Sequence, residues 1–203
     1  MVINVAIVDY GTGNLHSVMR RVDRRGVRSF IASCHGDIEN ADKIVLPGVG
    51  HFGRAMNRLN ELGFVDALNE AVLFRKKPVM GICLGMELMA VKSEEGDAVG
   101  LGWFEGAMVR FPKTELKVPQ IGWNTLNVVK ESRLMTGVPT NAEFCFIHSY
   151  HLRDIDPNDI LSETTYGLEY PSAIERDNIF GVQFHPEKSF AAGDLIFANF
   201  LNL

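Results

Sequence analysis

The sequence lacks the features that mark several large classes of protein. Its 203 residues include only three cysteines, Cys34, Cys83 and Cys145, without a C-x-x-C spacing, so neither a disulfide framework nor a zinc knuckle is indicated. Basic residues are in deficit, with 20 Lys and Arg against 25 Asp and Glu, which argues against a nucleic-acid-binding protein. A run of about 18 apolar residues and the basic start of a signal peptide are both missing, so we expect a cytoplasmic protein that is not inserted in a membrane.

What is present is a chain long enough for one domain with a sizeable core, since domains commonly hold roughly 100–200 residues. In the first ninety residues, short apolar runs such as 2–8, 43–46 and 79–82 alternate with segments of helical periodicity. This alternation predicts a mostly parallel sheet covered by helices on both faces. The second half is predicted to be mostly β, with strands at 107–111, 125–129, 144–147, 161–165, 173–175 and 179–183 and a final helix over 194–203.

A Gly-x-Cys-x-Gly motif, residues 81–85, lies where an apolar strand is predicted to meet a helix beginning at Leu84. This is the pattern of a nucleophile elbow, in which a strained turn exposes the central side chain and glycines on both sides avoid clashes. The free N–H groups of a helix N-terminus also favour thiolate over thiol. Cys83 is therefore a candidate nucleophile, although this motif alone is equally compatible with a buried structural cysteine.

A second motif, Phe-His-Pro-Glu-Lys-Ser at 184–189, follows a predicted strand. In an extended chain, residues i and i+2 point to the same side, and Pro186 is expected to keep this stretch from becoming helical. His185 and Glu187 are thus expected to face one site. A thiol nucleophile needs a base and a carboxylate that orients the base, and Cys83, His185 and Glu187 supply these three roles. Taken alone, His185 would be interpreted as an ordinary surface or core histidine.

The third motif, Pro-Gly-Val-Gly at 47–50, also follows a predicted strand. Acyl transfer needs backbone N–H donors aimed at the developing oxyanion, and glycines allow a close approach of the backbone. Gly48, Val49 and Gly50 are the candidates, together with the amide of Leu84, whereas a simple turn is the alternative interpretation. The remaining histidines do not pair with a cysteine or carboxylate at metal-ligand spacing, so we expect neither a metal nor another cofactor.

In their order along the chain, 47–50, 81–85 and 184–189, the three motifs resemble those of the class I, or triad, glutamine amidotransferases. Two further segments, Asp-Tyr-Gly-Thr-Gly-Asn-Leu at 9–15 and Pro-Gln-Ile-Gly-Trp-Asn at 119–124, resemble the glutaminase-subunit family of imidazole glycerol phosphate synthase, as does 146–150. The resemblance covers essentially the whole chain. It implies one amidotransferase domain over residues 1–203, with a flavodoxin-like α/β fold whose central, mostly parallel sheet is flanked by helices and extended by an antiparallel β region.

The resemblance also implies an activity and a partner. Members of that family hydrolyse L-glutamine to glutamate and ammonia through a cysteinyl thioester, and they pass the ammonia to a (β/α)₈-barrel cyclase subunit in histidine biosynthesis. By matching positions, Cys83 is implied to be the nucleophile, His185 the base and Glu187 its orienting carboxylate. The resemblance further implies that Gly50, Glu87, Ser149 and Tyr150 contact glutamine, and that Asn14, Trp123 and Lys188 face the cyclase.

Two positions depart from the family pattern, Glu87 where glutamine is usual and Gln120 where histidine is common. A carboxylate cannot donate as an amide does, and near the thiol its charge would raise the pKa of Cys83. Three other functions stay open. A paralogue could supply ammonia for the amidation of surface-polysaccharide sugars, a stand-alone hydrolase could cleave γ-glutamyl compounds, and a catalytically inactive relative could serve only to bind a barrel.

Overall fold

A computed structural model describes residues 2–23, 26–113 and 115–203 of the chain as an α/β protein. The helices are α1 (Leu15–Asp23), α2 (His35–Glu39), α3 (Phe52–Glu61), α4 (Phe64–Asn69), α5 (Leu84–Glu87) and α6 (Phe190–Leu201), and a π-helical turn (Glu70–Phe74) continues α4. The strands of the first half are β1 (Asn4–Val8), β2 (Arg28–Ala32), β3 (Lys43–Gly48), β4 (Val79–Cys83), β5 (Lys92–Ser93) and β6 (Ala98–Val99). Those of the second half are β7 (Ala107–Arg110), β8 (Gln120–Thr125), β9 (Asn127–Val128), β10 (Glu143–His148), β11 (Tyr150–Arg153), β12 (Ile160–Thr165), β13 (Glu169–Arg176) and β14 (Ile179–Val182).

Within the described residues, the largest sheet has eight strands in the order β2-β1-β3-β4-β14-β13-β12-β9. The five strands from β2 to β14 run parallel to one another, and β13, β12 and β9 continue the sheet in antiparallel fashion. Two smaller sheets, β10-β8 and β11-β7-β5-β6, accompany it. The prediction of a mostly parallel central sheet with an added antiparallel region is confirmed.

The central strands are buried on both faces, as their continuous apolar sequences predict. Alternate side chains of β1 enter two different cores, because successive residues of a strand point to opposite faces. Val5 and Ile7 pack with residues of α1 and α6 on one face. Ala6 and Val8 pack with residues of α3 and α4 on the other. Helices therefore cover both faces of the sheet.

The adjacent strands β3, β4 and β14 bring the three sequence motifs together. Gly48 is the register partner of Cys83 between β3 and β4, and Val182 is the partner of Ile82 between β14 and β4. Because parallel strands end at the same edge of a sheet, the residues after Gly48 and Val182 meet beside Cys83. Ligands of open α/β sheets bind at this carboxyl edge.

The structure corrects two predicted elements. The strand predicted at 125–129 is wrong, because β8 and β9 divide this region and pair with different strands, β10 and β12. The final helix begins at Phe190, four residues before the predicted start at 194. Among the described residues, none of the helices is both long and apolar enough to cross a bilayer.

Candidate active site

Cys83 lies at the sharp turn between β4 and α5. Its backbone has φ of +53° and ψ of −111°, a conformation that is costly for a residue with a side chain. The flanking glycines are packed against other backbone segments: a Cβ on Gly81 would lie 2.6 Å from the carbonyl oxygen of Gly85, and one on Gly85 would overlap that of Leu46. The turn has the strained geometry that the Gly-x-Cys-x-Gly motif predicts.

His185 and Glu187 lie directly after β14 and form a buried pair. The Nδ1 atom of His185 is 2.9 Å from Oε1 of Glu187. The expectation that Pro186 keeps this stretch extended is wrong, because Pro186–Lys188 form a 3₁₀ turn. Proline fits the first position of a helical turn, where its missing N–H group and fixed φ cost nothing. The turn, rather than an extended chain, places the Glu187 carboxylate against the imidazole.

Cys83 and His185 line the same cavity, but the Cys83 thiol and the Nε2 atom of His185 are not hydrogen-bonded to each other. The Cys83 sulfur lies 3.7 Å from the carbonyl oxygen of Ile147. The Nε2 atom of His185 is buried and has no hydrogen-bond partner among the described residues. Burial raises the pKa of the Cys83 thiol, and the charge of Glu87 raises it further. The thiol is thus the resting form, because these effects outweigh the backbone N–H group of Leu84, which favours the thiolate as the motif predicts. His185 retains a free position that can accept the thiol proton.

The cavity has a volume of about 290 Å³ and lies at the carboxyl edge of the parallel strands. The structure brings nine of the expected site residues to its wall: Val49, Gly50, Cys83, Leu84, Glu87, Ser149, Tyr150, His185 and Lys188. Glu187 is not part of the wall but contacts His185, which is. Residues that are distant in the sequence therefore surround one space of the size of a small molecule.

The segment expected to supply oxyanion donors forms part of this wall. Gly48 is the last residue of β3, and a Cβ there would overlap the hydroxyl group of Tyr10. Gly50 has a φ of +119°, which favours glycine, and Val49 is exposed. Leu84 is the first residue of α5, where backbone N–H groups are not used within the helix. Backbone donors are thus available on two sides of Cys83.

Two of the three residues expected to face a partner lie outside the cavity wall. Asn14 is exposed and caps α1, its Oδ1 accepting from the backbone N–H of Ser17 at 3.2 Å. Trp123 is 46% exposed and stacks on Phe190, with ring centroids 5.2 Å apart and planes 5° apart. Lys188 is exposed at the cavity wall. Phe190 was not singled out from the sequence.

Three polar residues near Cys83 were also missed by sequence reasoning. Gln183 directly precedes the motif at 184–189, so its place beside the site could have been inferred. Glu95 and His148 line the cavity. Glu95 stands in a segment without a distinctive local pattern, whereas His148 lies in 146–150, which resembles the family, but no role was inferred for it. Burial lowers the pKa of His148 to about 4, and its Nε2 atom lies 3.2 Å from the Tyr170 hydroxyl, which donates to Gln120. His148 is therefore a neutral polar group in the cavity wall.

In 2–23, 26–113 and 115–203, no group of three or more His, Cys, Asp or Glu is arranged to hold a metal ion. The chemistry available from the arrangement is that of a thiol, an imidazole oriented by a carboxylate, and backbone N–H donors. Such a set can perform acyl transfer through a covalent intermediate.

Solved structures share this fold. A crystal structure of a glutamine amidotransferase matches with a TM-score of 0.77 at 18% identity, covering 98% of this chain and 97% of that one. PurLQS from Thermotoga maritima matches with a TM-score of 0.75 at 16% identity, covering 100% of this chain and 99% of that one. The expected amidotransferase fold is confirmed by these likenesses.

Sequence comparison identifies the family. The model of the class-I glutamine amidotransferases matches residues 6–203. The chain is 42% identical over 200 residues to the imidazole glycerol phosphate synthase subunit HisH 2 of Pseudomonas aeruginosa, covering 98% of this chain and 99% of that protein. It is 44% identical over 198 residues to the subunit HisH of Chlorobium luteolum, with coverages of 97% and 98%. The chain therefore belongs to the class-I glutamine amidotransferase family, within the group of imidazole glycerol phosphate synthase HisH subunits.

Proposed function

We propose that this chain is the glutaminase subunit of imidazole glycerol phosphate synthase. It hydrolyses L-glutamine to glutamate and ammonia and delivers the ammonia to a (β/α)₈-barrel cyclase subunit, which makes imidazole glycerol phosphate and AICAR in histidine biosynthesis. The observation that carries the proposal is the strained Cys83, which shares a cavity with a histidine that is oriented by a buried carboxylate. We further propose that residues 1–203 act as one amidotransferase domain in the cytoplasm.

Cys83, His185 and Glu187 carry out the proposed chemistry. The Nε2 atom of His185 accepts the thiol proton, and the sulfur attacks the side-chain amide carbon of glutamine. The imidazolium is stabilised by Glu187 across the 2.9 Å contact and returns the proton to the departing ammonia. Water, deprotonated by the same imidazole, then cleaves the thioester and releases glutamate.

Backbone donors next to Cys83 stabilise the two tetrahedral intermediates. The amide of Leu84 and those of the segment Gly48–Gly50 are the proposed donors, because both border the sulfur. Gly50, Glu87, Ser149 and Tyr150 line the remaining wall, where the amino-acid part of glutamine binds. The resting thiol faces the Ile147 carbonyl, so its proton must be redirected to His185 before attack. We therefore expect slow hydrolysis by the free subunit and stimulation by the partner.

The face around the cavity is the proposed docking surface for the cyclase. Ammonia that meets water becomes ammonium and loses its nucleophilic lone pair, so the two active sites must be joined without an intervening layer of solvent. Trp123, Lys188 and Asn14 are the contacts expected from the family pattern. The exposed Trp123–Phe190 stack supports this assignment, because exposed aromatic groups are enriched at interfaces.

Glutamate release, measured with and without a cyclase subunit and the cyclase ligand, tests the proposal. We expect low activity of the chain alone, stimulation by the complex, and a loss of about 1,000-fold or more in Cys83→Ala because the nucleophile is removed. Cys34→Ala is the matched control, since Cys34 is exposed on α2's N-terminal side and should leave the activity unchanged. Full activity of Cys83→Ala would refute the assignment.

A second candidate function differs only in the ammonia acceptor. The departures from the family pattern at Glu87 and Gln120 favour a paralogue that supplies ammonia for the amidation of surface-polysaccharide sugars. The acceptor is bound by the partner, so the two functions share one glutaminase site. Growth without histidine, restored by this chain in a strain that lacks its own glutaminase subunit, supports the histidine pathway. Failure of an active, folded chain to restore growth favours the paralogue.

A further inference from the structure

Glu87 occupies an unusual position for a carboxyl group. It lies on α5 one turn after Cys83, only 5% of its surface is exposed, and it lines the same cavity as the sulfur. Its Oε1 atom accepts a hydrogen bond of 2.8 Å from Nε2 of Gln183. A buried carboxyl group that is not paired with a cation is costly in its charged form, so its presence beside the nucleophile calls for an explanation.

Gln183 connects Glu87 to the nucleophile. Its side chain is fully buried, and its Nε2 atom lies 4.0 Å from the Cys83 sulfur as well as 2.8 Å from Glu87. The Oε1 atom of Gln183 has no hydrogen-bond partner among the described residues. An acceptor at position 87 therefore determines which end of the amide faces the sulfur, because an ionised carboxylate can only accept. The NH₂ group of Gln183 is held between the carboxyl group and the thiol.

The charge of Glu87 acts on the same thiol. The ionisable groups around Glu87 are Tyr10, Cys83, Glu95 and Tyr150. His148, His185 and Lys188 share its cavity, and Glu187 also acts on the Cys83 thiol. Burial raises the pKa of Glu87 to about 7, so its charge changes near neutral pH. In its charged form, Glu87 raises the pKa of the Cys83 thiol. One side chain thus fixes the Gln183 amide and, depending on pH, opposes the thiolate.

We infer that Glu87 is a positioning residue that makes the nucleophile sensitive to pH: its carboxyl oxygen holds the Gln183 amide beside Cys83, and its ionised form opposes the thiolate. The inference rests on the proposed function in that Cys83 is the nucleophile. It follows that ionisation of Glu87 slows the attack of Cys83 on glutamine. A glutamine at position 87 would hold the same amide without this response, because it cannot ionise.

The test measures the thiol itself. Alkylation of Cys83 by iodoacetamide is followed from about pH 5 to about pH 10 by mass spectrometry of the Cys83 peptide, since only the thiolate reacts. In Glu87→Gln, we expect the thiol to ionise at lower pH and to react about 10-fold faster at mildly alkaline pH, as expected for the removal of one charge in a buried site. Glu61→Gln removes the same charge from an exposed position on α3 and should leave alkylation unchanged.

If Glu87 only supported the fold, Glu87→Gln would not change the pH dependence of Cys83 alkylation. Identical alkylation profiles for Glu87→Gln and the unaltered protein would overturn the inference. Should the variant fail to fold, carbon-13 NMR of glutamate-labelled unaltered protein decides: a carboxyl group titrating at about 7 supports the inference, and its absence overturns it. The part of the pH dependence of kcat/KM that ionisation of Glu87 causes is expected to be absent in Glu87→Gln.

The outcome is separable from that of the proposed function. If no glutamate is released by any variant but Glu87→Gln lowers the pH at which Cys83 ionises, the control of the thiol stands and the proposed activity fails. If glutamate is released with the partner but the ionisation of Cys83 is unchanged in Glu87→Gln, the proposed activity stands and the role of Glu87 fails.

Discussion

Gly85 shows how strongly a single missing side chain constrains the candidate active site. A Cβ atom on Gly85 would overlap the carbonyl oxygen of Leu46, so α5 lies directly against β3. This approach brings Cys83 beside the residues that follow Gly48. Among the described residues 81–85, the positive φ falls on Cys83 and not on either glycine. The glycines of the motif are therefore required for close packing, and the strain is borne by the cysteine.

Replacing Gly85 by alanine is accordingly expected to destabilise the protein. The new Cβ atom meets backbone that cannot rotate away, so we expect the free energy of unfolding to fall by about 2–4 kcal/mol, measured by urea denaturation. Gly36→Ala in α2 is the control, because a Cβ there has no atom within 4 Å, and alanine in a helix is favoured by roughly 0.5–1 kcal/mol. Equal stabilities of the two variants would contradict this account of the motif.

Single residues can be predicted from the sequence when they belong to a short local motif. Cys83, His185 and Glu187 stand in short motifs whose spacing reflects local backbone geometry, so the sequence alone indicated them. Glu95 and His148 reach the cavity because separate sheets fold over the edge of the parallel strands. That placement depends on contacts between distant segments, which a local pattern does not report.

At the scale of elements, the attachment of α6 to the central sheet involves a buried lysine. Lys43, the first residue of β3, directs its Nζ atom to the carbonyl oxygens of Phe200 and Leu203 at 3.1 and 3.0 Å. The last carbonyl groups of a helix have no partners within it, and a cation stabilises the negative end of the helix dipole. Lys43 thereby joins the start of a central strand to the end of the last helix.

Removing this ammonium group should loosen α6. In Lys43→Met, which keeps a long apolar side chain, we expect the free energy of unfolding to fall by about 1–3 kcal/mol, because two carbonyl groups lose a charged donor. Hydrogen exchange should quicken most in the last turn of α6. Lys92→Met alters an exposed lysine on β5 and serves as the control. Unchanged exchange in α6 would show that the helix end does not depend on Lys43.

Helices and strands, like single residues, could be predicted where a local sequence pattern defines them and not where distant contacts do. Strands β1, β3 and β4 are buried on both faces, so continuous apolar runs identified them. The region that contains β8 and β9 was divided incorrectly, because its strands pair with two different partners and alternate exposed with buried residues. The turn Pro186–Lys188 was mistaken for extended chain, since proline is compatible with both and the sequence does not distinguish them.

At the scale of the whole molecule, the cavity opens within an apolar face. Val49 and Ile147 belong to the cavity wall and are exposed, and Ile121, Trp123 and Phe190 are exposed as well. Ile121 and Ile147 are register partners of β8 and β10, and Trp123 lies on the same strand as Ile121. The apolar face therefore runs from the cavity along the small β8–β10 sheet. A surface of this kind around the Cys83 thiol suits a partner that excludes water from the site.

The Trp123–Phe190 stack provides the last test, because it separates partner binding from catalysis. Neither side chain belongs to the cavity wall, so Trp123→Ala should leave glutamate release by the free chain unchanged. We expect binding of the (β/α)₈ cyclase, measured by calorimetry, to weaken about 10-fold or more, since buried aromatic anchors dominate interface energies. Stimulation of glutamate release should return when the concentration of the partner is raised to saturation.

Phe74→Ala is the matched control, because Phe74 is 75% exposed but precedes β4 at the opposite edge of the sheet. Equal binding of the cyclase by Trp123→Ala and Phe74→Ala would place the partner on another surface.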